Sequence, residues 1–416
     1  MKMSLHHLLV VVALLLLNAC TSTPDKEGWR VEQKNEFLQI LKTDKYLSMC
    51  NKDRGLYEAI QQNHDSILMS RMLVTYAENL ANGCIDLEKF QARQKARNTI
   101  EFSSKYTTYL QEVNQKRIMM QLKAGQSIEQ ILQPYMPEYA QFFLLLKYYH
   151  GLMHDANASE ALLHKIRLNV ERIKLMKPGL GSNYVLVNIP EFKVRVIENN
   201  QTSLSMRVIT GKRSKQTPIF SADLQMIVLN PTWNVPDSIA RHEIIPKVLK
   251  DPEYLKKHRL VMRRDYNLES PEVHFDANLS AEYVGGKGEV PFKFIEVASN
   301  RNALGRVKFL FPNENSVYMH DTPTKWLFKK KVRAYSHGCV RLAKPMKMLG
   351  FLAKNYTSTP MEKIDDDYKS RKTHFVPFTK RLPVHTAYLT TYVAEDGKLH
   401  IFNDIYGYDT LQKLYF

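Results

Sequence analysis

The sequence predicts an α+β protein: an N-terminal α-helical scaffold domain, then a β-rich domain, a sandwich or partial barrel, carrying an insertion. Three observations lead there. Apolar residues recur at helical spacing over 29–177. After Pro178-Gly179 the pattern changes to short apolar or alternating runs bounded by turn residues, as in strands. The chain has 416 residues and 44% hydrophobic content, enough for the cores of two or three domains. The implied order is a leader (1–20), a polar tether (21–28), a helical domain (29–177), a strand-rich domain (178–354) with an insertion over 237–300, and a C-terminal extension with a hairpin (355–416).

In the leader, Lys2 and two histidines precede an apolar run over 8–17 that is too short to span a bilayer and suits a signal-peptide core. The run ends Leu17-Asn18-Ala19-Cys20, which resembles the bacterial lipoprotein cleavage box. In that reading Cys20 is the lipidated first residue of the mature chain; in an ordinary cleavable signal it would be incidental. Thr21 in the next position favours the outer membrane by that resemblance. Later apolar runs are short, such as FFLLL at 142–146, and read as core.

Within 29–177, Asp65-Ser66 caps a segment in which Met69, Met72, Leu73, Tyr76 and Leu80 share a face, and Asn82-Gly83 closes it. Ser127 and Gln130 have capping-box spacing. Stretches 142–149 and 159–176 read as further helices. No repeat and no catalytic cluster occurs here, so the region reads as a scaffold or a binding module. Cys50 and Cys84 either pair in an oxidising compartment or stay free and buried.

In the strand-rich part, runs over 184–190, 192–197, 204–210 and 225–229 alternate or stay apolar. Gly211-Lys212 looks like the tail of a phosphate loop, but Met206 stands where that loop needs glycine. The insertion begins with helical residues and ends glycine-rich. A helix over 345–355 precedes a polar connector over 357–372, and a hairpin pairs 387–394 with 398–403 across Asp396-Gly397.

The chemistry concentrates in 318–342, YMHDTPTKWLFKKKVRAYSHGCVRL. His320 sits at a strand end before an Asp-Thr-Pro turn. Ser336-His337-Gly338-Cys339 packs a hydroxyl, an imidazole, a flexible residue and a thiol into four positions. A thiol becomes a strong nucleophile when an imidazole takes its proton. The Gly338 and Cys339 amides can point at an oxyanion. Taken singly, a cysteine is more often packing and a histidine more often structural. Zinc would need a fourth ligand and recognisable spacing, and neither C-x-x-C nor H-x-x-x-H accompanies these residues.

HDTP followed by SHGCVRL resembles the signature of the L,D-transpeptidases, bacterial cell-wall cross-linking enzymes with a YkuD-type catalytic domain, and in particular the large Gram-negative members with extra domains. Segments 184–200, 208–221, 230–247, 302–313 and 400–409 agree with that resemblance. It implies Cys339 as nucleophile and His320 as its base, with His337 and Arg341 at matching motif positions. Ser336 reads as a turn former, and the Asp321 carbonyl as a group that orients the imidazole. ASNRNALG at 298–305 departs from the pattern, which would place Gly-Pro before the asparagine. In the resembling enzymes an insertion here caps the active site.

The implied donor is a peptidoglycan tetrapeptide stem, cleaved between meso-diaminopimelate and D-alanine, and the acceptor an amine of a second stem; no metal or cofactor is implied. The net charge of +17 fits an anionic partner. Export and the lack of any binding fingerprint argue against nucleic acid and for the carboxylate-rich wall, with cell-wall synthesis proteins among the candidate partners. Four readings compete with 3-3 cross-linking: an L,D-carboxypeptidase, a transpeptidase attaching a protein or D-amino acid, a general cysteine protease, and a non-catalytic wall-binding lipoprotein. The expected location is the periplasm, lipid-anchored to a membrane. Cys20→Ser is expected to abolish lipidation and release the chain to the soluble fraction; wild-type chain recovered there unmodified would rule the anchor out.

Overall fold

The structure, a computed structural model, describes residues 22–99 and 102–414; the leader and Cys20 lie outside the described residues. Two compact units divide the chain. One comprises residues up to 87, 109–178 and those from 412 on; the other comprises 88–108 and 179–411. No helix among the described residues is long and apolar enough to cross a membrane.

The first unit is built from α1 (Val31–Thr43), α2 (Arg54–Asn63), α3 (Ser66–Asn82) and, after α4 (Leu87–Arg97), from α5 (Gln115–Lys123), α6 (Ile128–Leu132), α7 (Ala140–Leu152) and α8 (Glu160–Lys174). Local chemistry explains their ends. The Asp65 side chain accepts the Ile67 and Leu68 N–H groups at the start of α3, and Gly83 (φ 75°) follows its last turn. The face predicted for α3 is the buried one. Ser127 and Gln130 form a full capping box on α6.

Cys50 and Cys84 are bridged, with Cα atoms 5.4 Å apart. Next to the bridge, the Cys84 N–H donates to Glu171 (2.7 Å), and Glu171 pairs with the fully buried Lys174 (3.2 Å), whose ammonium also donates to the Leu47 carbonyl (2.6 Å). The unit closes with residues far along the chain: Leu414 bridges to Ile85, and Arg172 Nε donates to Gln412 at 2.6 Å.

In the second unit the strands are β1 (Tyr184–Asn188), β2 (Lys193–Glu198), β3 (Gln201–Gly211), β4 (Phe220–Asp223), β5 (Met226–Leu229), β6 (Trp233–Asn234), β7 (Leu260–Arg263), β8 (Lys293–Glu296), β9 (Val307–Leu310), β10 (Met319–His320), β11 (Ala334–Ser336), β12 (Val340–Leu342), β13 (His374–Pro377), β14 (Pro383–Ala387), β15 (Thr391–Val393) and β16 (Leu399–Ile401). Eleven form one curled mixed sheet in the order β13-β5-β9-β10-β12-β3-β2-β1-β14-β4, with β11 alongside β3. The expected hairpin is β15–β16. The polar connector contains a helix, Met361–Lys369, which the sequence reading missed because Ile364 is its only buried residue.

Residues 88–108 lie within the stretch expected to be scaffold but cluster with the strands. Phe90, Tyr106 and Tyr408 meet edge to face at 5.3–5.9 Å, and Tyr106 bridges to Ile219. Helical periodicity shows that α4 is amphipathic without showing which core receives its apolar face. The insertion, with β6 just before it, forms a separate sheet, β6-β8-β7, and has its own core, including Ile244, Ile245, Val248, Met262, Phe292 and Phe294. Its helical start contains one π-helical turn, Ala240–Ile244.

The Cys50–Cys84 bridge closes a loop of 34-residue separation. Removing it with a Cys50→Ser, Cys84→Ser double substitution is expected to cost about 3–4 kcal/mol in the chain-entropy model, read as a lower denaturant midpoint for the helical unit. An unchanged midpoint would show that this loop is already constrained without the bond.

Candidate active site

The strand pairing builds the site. β10 runs parallel to β12, with Met319 opposite Val340 and His320 opposite Arg341; on its other side it runs antiparallel to β9, with His320 opposite Lys308. Val340 N–H donates to the Tyr318 carbonyl at 3.0 Å, so Cys339 enters β12 beside Tyr318.

His320 is buried, and its Nδ1 donates to the Asp321 carbonyl at 2.5 Å, which leaves Nε2 as the ring's basic atom. Burial pushes its pKa down to about 3, and the Arg341 and Lys308 charges add to this against the pull of the Asp321 and Leu304 carbonyls. The imidazole is therefore neutral near pH 7. The Asp321 carboxylate is held in turn. It accepts N–H groups from Arg306 (2.9 Å) and Thr322 (2.7 Å) and pairs with Lys325. Gly305 (φ 61°) makes room for it, because a Cβ there would lie 2.3 Å from that carboxylate.

Cys339 is half-buried, and its Sγ lies 3.8 Å from the Ser316 carbonyl. Burial pushes the thiol up. Opposing it are the Tyr318 backbone amide and hydroxyl, together with the Lys308 and Arg341 charges. No hydrogen bond joins the imidazole to the thiol among the described residues. The two groups lie on adjacent strands, and contacts of this kind often tighten only when substrate binds.

The loop that presents the thiol is braced from both sides. Ser336 Oγ donates to the Cys339 carbonyl (2.6 Å) and accepts the Gly338 N–H (3.2 Å). Gly338 takes φ 126°, a region closed to other residues, and its carbonyl accepts Thr217 Oγ1 at 2.7 Å. The Gly338 N–H is thus used within the loop. Arg341 Nη1 donates to Thr324 at 3.3 Å.

Residues 182–362 match the family model for the L,D-transpeptidase catalytic domain, YkuD. This stretch belongs to the YkuD L,D-transpeptidase family. A curated Haemophilus influenzae relative, named as a candidate L,D-transpeptidase, is 32% identical over 249 residues, 60% of this chain. The chain spans about half of that relative, 48% of its length. Among solved structures the chain is similar to an L,D-transpeptidase from Mycobacterium smegmatis (11% identity, 49% of this chain and 58% of that one, TM-score 0.23). It is also similar to a mutant of the Enterococcus faecium L,D-transpeptidase (8% identity, 72% and 98%, TM-score 0.20).

Within the YkuD domain His337 turns to the insertion. Its Nε2 lies 2.6 Å from Glu243, on the π-helical turn, and 3.3 Å from Lys212 Nζ. The contact with His337 holds the Glu243 carboxyl below its usual range. Three residues around the site, two beside the thiol and one beside His337, had no assigned role in the sequence reading. The Tyr318 hydroxyl bonds both Cys339 and Trp233. Lys308 lies 4.0 Å over the Tyr318 ring. Glu243 carried no motif. Only the alternation of VKFL, which separates Lys308 from its apolar neighbours, signalled one of them.

The His320 shift has a measurable consequence. Its folded pKa, about 3, lies below its ordinary 6.5, so the unfolded chain binds more protons between those values. The associated stability is complete above about pH 6.5 and is lost as pH falls toward 3. Thermal midpoints are expected to drop over that window, more steeply for wild type than for His320→Gln. Identical slopes would show that the imidazole is not excluded from protonation in the folded state.

Proposed function

We propose that this chain is a periplasmic, lipid-anchored acyltransferase, a cysteine L,D-transpeptidase that forms 3-3 cross-links between peptidoglycan stems. The observation that carries the reading is the thiol of Cys339, half-buried at the end of β12, flanked by Tyr318, Lys308 and Arg341 and one strand from a neutral imidazole.

The steps follow from that arrangement. His320 Nε2 takes the thiol proton, and the sulfur attacks the diaminopimelate carbonyl that precedes D-alanine. The Lys308 and Arg341 charges and the Tyr318 hydroxyl stabilise the thiolate, offsetting the burial that raises its pKa. The Cys339 N–H stabilises the oxyanion, an effect of about 3–4 kcal/mol per donor in comparable sites. As the tetrahedral adduct collapses, His320 gives its proton to the leaving D-alanine amine and a thioester remains. An amine of a second stem attacks the thioester, loses a proton to His320 and releases the thiol.

A transferase must keep its thioester from water until the amine arrives. The insertion suits that task, since it has its own core and reaches His337 through Glu243. The excess of basic side chains favours the anionic wall as partner, and the leader supports export and anchoring.

Incubation of the chain with purified tetrapeptide muropeptides is expected to give 3-3 linked dimers and free D-alanine by mass spectrometry, with tripeptide as a side product. Cys339→Ala should abolish both products, His320→Ala should slow both by roughly 100-fold or more, and shortening the insertion should raise the tripeptide share. Tripeptide without dimer at high substrate would make the chain a carboxypeptidase.

A further inference from the structure

One cavity of about 330 Å³ lies apart from the thiol and is unusually basic. Its lining includes Asn230, Ser299 and four arginines, Arg259, Arg301, Arg306 and Arg371, and no Asp or Glu. The four cations are arranged in different ways. Arg306 is fixed: Nε and Nη2 donate to Asn230 Oδ1 at 2.9 and 2.7 Å, Nη2 also reaches the Tyr368 carbonyl, and the guanidinium stacks on the Tyr368 ring at 3.7 Å. Its Nη1 edge has no acceptor among the described residues. Arg259, Arg301 and Arg371 are exposed, and no ion pair reaches their guanidinium groups among the described residues. One acid, Glu296, acts on Arg259, but burial raises that carboxyl to about 7, so near neutral pH it carries only part of a negative charge.

The walls are built for this. Asn230 donates to the carbonyls of Asp367, Tyr368 and Lys372 at 3.0–3.2 Å, tying the turn that bears Arg371 to the strand end that bears Arg306. Asn302 donates to the Glu296 and Val297 carbonyls (3.1 and 3.0 Å) and so shapes the loop that bears Arg301. That loop, ASNRNALG, is the segment where the sequence departs from the Gly-Pro pattern. Asn230, Arg259 and Arg371 all take positive φ (49°, 54° and 60°), a conformation that costs an ordinary side chain energy and that clusters where backbone is held for a ligand.

We infer that this cavity is a carboxylate-binding subsite that holds the peptide stem at a distance from the reacting bond. The inference rests on the peptidoglycan reading above and adds to it where an anionic part of the substrate sits. Guanidinium forks match carboxylates in pairs, and a pre-fixed Arg306 loses little entropy on binding. The spacing also fits. Arg306 lies two residues before Lys308, Lys308 is opposite His320, and Tyr318, which bonds the thiol, lies two residues before His320. At about 3.3 Å per residue the cavity and the thiol are about 13 Å apart along the strands, the length of about four extended residues.

The test measures binding of a disaccharide-tetrapeptide to the Cys339→Ala chain, in which turnover cannot occur. Three probes are compared: the natural stem, the same stem with its carboxylates amidated, and inorganic phosphate. The natural stem should bind at least roughly tenfold more tightly than the amidated one, with an affinity that falls as salt rises. Arg259→Gln, Arg301→Gln and Arg371→Gln together should remove that difference; in the active chain they should raise KM and leave kcat near wild type. Equal binding of the two stems, or an unchanged preference in the triple variant, would overturn the subsite. So would tight phosphate binding that does not compete with the stem, which would give the cavity to a phosphate. Failure of turnover in the active chain with carboxylate-dependent binding intact would fault the reaction reading and leave the subsite standing.

Discussion

The Met319–His320 strand is only two residues long, yet it is hydrogen-bonded on both sides, and the site depends on that constraint. A parallel partner at β12 fixes where the thiol loop enters, and an antiparallel partner at β9 fixes where Lys308 stands. A one-residue slip in either pairing would turn the side chains concerned to the other face of the sheet. Placing His320, Lys308 and Arg341 side by side in the middle of a sheet is electrostatically unfavourable, and these charges add to the burial that depresses the imidazole. A thiolate, when formed, gives the two cations a counter-charge. That counter-charge offsets part of the burial that raises the thiol's pKa.

Support for the thiol loop comes from far along the chain. Tyr406 Oη donates to the Gly211 carbonyl at 2.6 Å, the Thr217 N–H donates to that same hydroxyl at 3.2 Å, and Thr217 in turn holds the Gly338 carbonyl. Tyr408 joins the Phe90–Tyr106 ring cluster nearby in sequence. The C-terminal residues therefore act as a brace behind the site, although none of them is chemically reactive there.

Much of this was legible in the sequence. The fold class, the α3 caps, the capping box on α6 and the hairpin at Asp396-Gly397 follow from local chemistry, because each depends on residues a few positions apart. The cluster of HDTP and SHGC could be read as one site because both motifs lie within 25 residues. The Asp321 carbonyl, suggested as an orienting group, does bond the imidazole. What could not be read depends on long-range pairing. Glu243 meets His337 across 94 positions, α4 joins the strands through rings at 106 and 408, and the arginines of the basic cavity span 259 to 371. The helix over Met361–Lys369 was hidden for another reason: a single buried Ile364 leaves too little periodicity to detect.

Neither unit is a continuous length of chain. The helical unit is interrupted by 88–108 and completed by Gln412 and Leu414, so its closing contacts to Arg172 and Ile85 can form only after the whole strand-rich unit has been made. A chain emerging N-terminus first would leave a growing helical assembly with an open seam for most of its synthesis. Its apolar faces would stay exposed to neighbouring chains until the last residues arrived. The early covalent link between Cys50 and Cys84 needs only residues already present by then. It can hold the first three helices together during that wait, a task in the timing of assembly that is separate from any contribution to the finished fold.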